Sequence, residues 1–390
     1  MTCCKRSFVN WGLIKIHLFA PINHFVSDFY VSFLTPLAPY FMQKYHVDAK
    51  QIALFITAIS FISSIFQIFF GTLSDKIESR FKFIYILTAI TVLFISMIEF
   101  APNIFVLFLF FIIAFFANSA FHPTGAATAH SLSVKSMPFF VAAGTLGTAA
   151  GPIFVTLFSS KIGLKFLWLV SLPVLIILAL MIKSEPPLSH IRTNTESVKI
   201  NSKQKKILFD LWLLVTARTL VMSIGHLYAP IMSTQKGFSL VFGGTLLSIG
   251  VAIGVFTTML GSWLSNKFGN LITNLISFLG MGIALLIFVR ASDMITLLIG
   301  YVLIDGFGYL TMSSNLSQAQ IALPNHTSFA SSVVMGFAWA CGTGLRVFMI
   351  LPFGDNIGVI IYLTILISLL MAFIVFLKGR KACFLRNKKA

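Results

Sequence analysis

Residues 104–121 read IFVLFLFFIIAFFANSAF, a run without a single charge and with Asn118 as its one strongly polar side chain. An α-helix rises about 1.5 Å per residue, so about 20 such residues cross a hydrocarbon slab of about 30 Å. The run is continuous rather than alternating, which selects a helix over a barrel strand. A helix also satisfies its own backbone hydrogen bonds where no water can reach them. Comparable runs recur at 52–70, 83–98, 165–182 and 271–289. With weaker stretches included, twelve spans follow, near 18–41, 50–71, 83–100, 103–122, 137–160, 165–183, 208–233, 240–263, 271–290, 293–316, 327–350 and 356–377. The expected fold class is an all-α polytopic membrane protein.

Composition supports this. The chain is 57% hydrophobic and only 10% charged, against about 25% charged in a soluble domain. A net charge of +17 could indicate nucleic acid, but its distribution follows topology instead. With the N-terminus inside, the inner segments and the tail hold 20 of the 28 Lys and Arg, and the outer segments hold 6. Arg218 and Arg346 lie within spans. This is the positive-inside pattern, with both termini cytoplasmic and basic loops facing anionic lipid headgroups. The opening segment has basic residues before an apolar stretch, yet no small-residue cleavage site follows, so it is expected to remain as the first helix. Cys3, Cys4, Cys341 and Cys383 form no spacing pattern, and neither a disulfide framework, a metal site nor a cofactor is expected. No nucleophile motif, phosphate loop or H-E-x-x-H spacing supports an enzyme, and no filter loop supports a channel.

The only long polar stretch, SEPPLSHIRTNTESVKINSKQKKI at 184–207, reads as a solvated linker. It divides the chain into an N-terminal six-helix bundle (1–183) and a C-terminal six-helix bundle with a basic tail (208–390). The halves echo each other. GTLSDKIESR at 71–80 aligns with SWLSNKFGN at 262–270, pairing Asp75 with Asn266 at an offset of 191. SSKIG ending at Gly163 aligns with GDNIG ending at Gly358 at an offset of 195, and Pro123 and Pro324 each end a fourth span. Two pseudo-symmetric bundles with a substrate site between them is a transporter architecture.

These residues also carry a family resemblance. The segment from Gly71 to Arg80 resembles the cytoplasmic 2–3 loop motif of the major facilitator superfamily, roughly G-x-L-A-D-R-x-G-R-R. Gly71, Leu73, Asp75 and Arg80 match, Lys76 replaces Arg, and Glu78 and Ser79 depart from the pattern. GTLGTAAGP from Gly144 to Pro152 is similar to the Gly-x-x-x-Gly-Pro motif of that superfamily's antiporters. More narrowly, NHFVSDFYVSF (23–33), FHPTG (121–125) and QIALPNHTSFA (320–330) resemble the fosmidomycin-resistance family of bacterial drug exporters. The resemblance implies the major facilitator fold in a bacterial inner membrane, with spans 1, 4, 7 and 10 lining a central cavity. It also implies that Gly71, Asp75, Lys76 and Arg80 form a conformational gate; a merely solvated loop is the alternative. Gly144, Gly147 and Gly151 share one helix face, and Pro152 removes a backbone donor. That motif reads as a helix-packing hinge, through packing alone or through coupling.

Charges inside a span cost roughly 2.5–3.5 kcal/mol on insertion scales, so each is a functional candidate. Asp28 with His24 at i, i+4 lies in span 1, Asn118 and His122 in span 4, Arg218 and His226 in span 7, and Asp305 in span 10. Arg346, in span 11, is expected to snorkel to the outer interface. His122, followed by Pro123, reads as the end of a helix, and ordinary interhelical hydrogen bonding is the alternative for both His122 and His226. Asp28 and Arg218 are 190 residues apart, close to the repeat offset, which places them at similar depth in opposite halves.

The expected substrate-binding residues are Arg218, His226, Asn118 and Asn23, with Arg218 anchoring an anionic group through its permanent charge and planar fork. Asp28 with His24, then Asp305, are the expected proton-coupling groups; a static Asp28–Arg218 ion pair is the alternative. The function expected is proton-coupled export of a small drug-like or polar, anionic compound by a monomeric carrier working by alternating access. Import of a metabolite by proton symport, and a non-transporting membrane scaffold or receptor, are the competing readings.

Overall fold

A computed structural model describes residues 11–74, 80–132, 136–182, 200–324 and 327–387. Helix dominates, and no strand occurs among the described residues. The first half comprises α1 (Trp11–Val31), α2 (Ala38–Tyr45), α3 (Ala49–Ser74), α4 (Arg80–Ser96), α5 (Ile104–Leu132), α6 (Ser136–Lys161) and α7 (Leu167–Ile182). The second comprises α8 (Ser202–Gln235), α9 (Leu240–Phe268), α10 (Asn270–Arg290), α11 (Met294–Tyr309), α12 (Met312–Ala322), α13 (Thr327–Ser331), α14 (Ala338–Gly344), α15 (Val347–Phe353) and α16 (Ile357–Asn387). Among the described residues 9 helical segments are long and apolar enough to cross a bilayer, with Phe81–Ser96 and Leu164–Leu180 as shorter apolar helices. Together with α1 they account for the twelve expected spans.

Short loops stop and restart these helices with polar caps. The Asn103 side chain accepts from the Val106 amide (3.0 Å), Ser239 from Phe242 (3.2 Å), and Asp293 from Thr296 (2.9 Å). Each satisfies an orphan donor of a first helical turn. Asn201 and Gln204 close a reciprocal capping box that starts α8 at Ser202. The last six residues read as linker are therefore helical. Span 1 ends early at Val31 and resumes as α2, where Pro39 suits a first helical turn. Spans 10 and 11 are broken too, the second through a π-helical turn at Ser332–Phe337. The end expected at Pro123 does not occur, because α5 continues to Leu132 with Pro123 inside it. Ala322, just before Pro324, does end α12.

Within the first half, α1 packs on α6, and α5 on α3 and α4. Within the second, α10 packs on α16 and α11, and α14 on α8. The halves meet where α6 lies on α9 and α3 on α14. Gly244 sits against Pro152 and Thr156, leaving no room for a side chain. Pro152 has no N–H, and the next amide, Ile153, donates across to Ser248 Oγ on α9 (3.0 Å). Between the first turn of α3 and the loop before α16, Lys50 Nζ pairs with Asp355 Oδ2 (3.2 Å). From Leu214 to Ser233 every residue of α8 is buried except His226. A helix enclosed on all sides is a central one.

Candidate functional site

Two polar clusters occupy the interior, one in each half. In the first, Asp28 on α1 is the hub. Its Oδ1 accepts from Asn118 Nδ2 (3.0 Å) and lies 3.5 Å from His122 Nε2, while Oδ2 lies 3.2 Å from His24 Nε2. Asn118 Nδ2 also donates to Ser27 Oγ (2.9 Å). The His24 ring stacks on Phe140 with centroids 4.0 Å apart, and its Nδ1 bonds the Phe140 carbonyl (2.8 Å). A side chain at Gly144 would run into His24 and Asp28, and one at Gly147 or Gly151 into the Phe25 or Phe29 carbonyl. The glycine face of α6 is thus the seat of α1 and leaves space for the Asp28 cluster. Pro152, beyond it, faces the other half. His122 is not a helix end but a member of this cluster.

Asn23 stands apart. Its amide donates to Phe19 O of its own helix (2.9 Å), and its Oδ1 is buried without a partner.

In the second half, Asp305 on α11 is wholly buried and lies 2.5 Å from His226 Nε2. A side chain at Gly250 on α9 would meet Asp305 Oδ2 and the Tyr301 ring. Two groups expected to have separate roles are therefore one pair. A little over two turns back along α8, Arg218 is 2% exposed. Its guanidinium lies 5.6 Å over the Trp339 ring, a geometry that favours a cation. Arg218 Nε and Nη1 have no hydrogen-bond partner, and no carboxylate among the described residues lies within ion-pair distance. The hydroxyls of Thr216, Thr219 and Tyr228 are buried and unpartnered as well.

The static Asp28–Arg218 pair is not formed. The two residues nevertheless hold corresponding places: Asp28 against Gly144 of span 5, Arg218 against Trp339 of span 11, with offsets of 190 and 195. The snorkelling expected of Arg346 does not occur either. It is 3% exposed and donates to the Thr343 carbonyl (2.9 Å) and the Ser223 carbonyl (3.2 Å), which cancel the need to reach water. Of the expected gate, Gly71 lies in the last turn of α3 and Arg80 opens α4, while Asp75 and Lys76 fall outside the described residues. Trp339 was missed because a tryptophan in an apolar span carries no signal of its own; only the repeat offset could have pointed to it.

The sequence profile of the Major Facilitator Superfamily matches residues 22–347. The chain belongs to that superfamily of membrane transporters. No curated protein matches the sequence. Among solved structures, the nucleoside transporter NupG is similar with a TM-score of 0.75 at 15% identity, covering 93% of this chain and 99% of that one. A POT family transporter in complex with 5-aminolevulinic acid has a TM-score of 0.70 at 12% identity, covering 95% and 96%. A bacterial homologue of the human lysosomal transporter Spinster, inward-facing and occupied, has a TM-score of 0.69 at 16% identity, covering 97% and 98%. At such identities the likeness is one of fold. The protein is an integral membrane transporter of the major facilitator fold.

Proposed function

We propose that this transporter exports a small anionic or polar drug-like compound in exchange for protons, as a monomer, by alternating access between its two six-helix halves. One observation carries the reading: Arg218 is a buried, permanent cation with free donors and no carboxylate partner among the described residues. A buried charge without a counter-ion is costly, and an anionic substrate group is the natural compensation. Trp339 supplies a flat apolar wall beside it, and His226, the one residue of the α8 core that is not fully buried, lines the same helix.

Coupling falls to carboxylate–imidazole pairs. Asp305 with His226 is the pair on the substrate side; Asp28 with His24 is a cation site of the other half, with Asn118 fixing its carboxylate. The glycines of α6 and Pro152 form the packed face about which the halves rock, and Gly71, Asp75, Lys76 and Arg80 form the gate at the inner end. Export, drug resistance and the bacterial inner membrane rest on the narrower likeness to fosmidomycin-resistance exporters and on the span 5 motif.

Growth inhibition by a compound panel, with and without expression, identifies the substrate. Reconstituted vesicles then give the direction of coupling: adding substrate outside should acidify the medium. Alkalinisation would replace exchange by symport, and tolerance unchanged by Arg218→Ala would remove Arg218 as the anchor.

A further inference from the structure

We infer that His24, Asp28 and His122, backed by Asn118, form a binding site for a divalent transition-metal ion. The inference goes beyond the transport reading and stands whichever carboxylate carries the proton.

One ligand atom from each of the three residues lies within 4.8 Å of the others. Bonds of about 2.0–2.2 Å to nitrogen and oxygen are then reached by a small inward closing of the side chains. The bonding of His24 is informative. The Phe140 carbonyl can only accept, so the His24 Nδ1 facing it at 2.8 Å carries the hydrogen. In the neutral ring Nε2 then presents a lone pair, and it is aimed at Asp28 Oδ2, another acceptor, 3.2 Å away. Two acceptors held face to face in a buried site require a cation between them.

A proton would satisfy that one contact but does not account for the approach of His122. His122 Nε2 comes in on the other carboxylate oxygen at 3.5 Å, too long for a strong hydrogen bond. A third ligand in that position leaves a four-coordinate metal one place for water. The outer contacts are those that ligands have in metal sites: a backbone carbonyl fixes the tautomer of one imidazole, and an amide orients the carboxylate. Phe121 and Phe140 wall the His24 side with apolar rings, and Gly144 clears the space. The three side chains are 9%, 13% and 30% exposed in the order His24, Asp28, His122, so the site is entered past His122. Two imidazoles and one carboxylate select zinc, cobalt, nickel or ferrous iron over magnesium or calcium, which prefer all-oxygen shells.

The spacing of the sequence concealed this site, since His122 lies 94 residues beyond Asp28 on another helix.

The test is titration of tag-free, detergent-purified full-length protein with Co(II), followed by its visible absorption, and with Zn(II), followed by the rise in melting temperature. One equivalent per chain is expected, with intense Co(II) bands of low coordination number. His24→Ala and His122→Ala should each weaken binding at least tenfold, whereas His226→Ala should leave it intact. X-ray absorption of the wild-type zinc complex requires no variant to fold and should show two imidazoles with oxygen ligands. Absence of saturable binding to the wild type, sulfur in the zinc shell, or binding that survives both histidine substitutions would overturn the proposal.

Discussion

The polar groups around Asp28 and those around Arg218 stand in opposite conditions. Around Asp28 nearly every group faces a partner: Asn118 bonds both Ser27 and Asp28, and His24 bonds Phe140. Around α8 partners are missing. Arg218 has free donors, and the hydroxyls of Thr216, Thr219 and Tyr228 are buried without hydrogen bonds. In the reading proposed above, a cluster whose lone pairs gather around a carboxylate takes up or releases a small cation with little rearrangement. On the reading proposed above, the unsatisfied one containing a guanidinium awaits a larger, polar, anionic molecule. In that reading the two halves share one frame, and the side chains at corresponding places, Asp28 and Arg218, divide the work. The lesson is that pseudo-symmetry positions a residue without fixing its role.

Substitutions that strike one half and spare the other test this contrast. The largest effect is expected from Arg218→Ala. Removing one partner of a buried charge-assisted contact costs about 2–5 kcal/mol, which is roughly 30-fold or more in affinity. Resistance assays and direct binding of the anionic substrate should both show the loss, and Arg218→Lys should recover only part of it, because a point charge lacks the planar fork.

Asp305→Asn should next abolish accumulation against a gradient while substrate exchange across vesicles persists, because the amide still fills the space beside His226 but cannot gain or lose a proton. Normal gradient-driven transport by this variant would remove Asp305 from coupling.

A third contrast concerns packing. At Gly144 an added methyl would collide with the His24 ring and Asp28, whereas at Gly282 it would sit 3.2 Å from the flexible Leu369 side chain. Gly144→Ala is expected to destabilise by about 1–3 kcal/mol and to impair transport. Gly282→Ala should leave both the melting temperature and transport close to wild type. Equal melting temperatures for the two variants would show that α6 does not need its close approach to α1.

The smallest effect belongs to Lys50→Ala. The Lys50–Asp355 pair joins the halves, but the Asp355 side chain is 76% exposed, and exposed pairs contribute about 0–1 kcal/mol. A shift of at most a few-fold in apparent affinity, vanishing at high salt, is expected. A larger effect would mean that this contact controls which side of the carrier is open.

Much of the fold was legible because lipid imposes a simple rule: apolar runs of sufficient length become helices. Where a proline interrupted such a run the rule was less secure. Pro123 is carried inside α5, since a bilayer helix can tolerate a missing donor when neighbours compensate, while Pro324 follows a true helix end. Arg346 misled for a related reason. Its distance from the span end permitted snorkelling, but the Thr343 and Ser223 carbonyls offered a local alternative. At the candidate site the sequence revealed which residues are costly to bury, and not which would meet. His226 with Asp305, and Asp28 with Asn118 and His122, are contacts between helices about 80 to 90 residues apart. No single-helix spacing encodes them.

The separation of a cation site from an anion site is tested most directly by titrating the anionic substrate into purified wild type, Arg218→Ala and Asp28→Asn, and reading affinity. Loss of binding in Arg218→Ala, with affinity within a few-fold of wild type in Asp28→Asn, is the predicted result. Binding that survives Arg218→Ala but is lost in Asp28→Asn would contradict it.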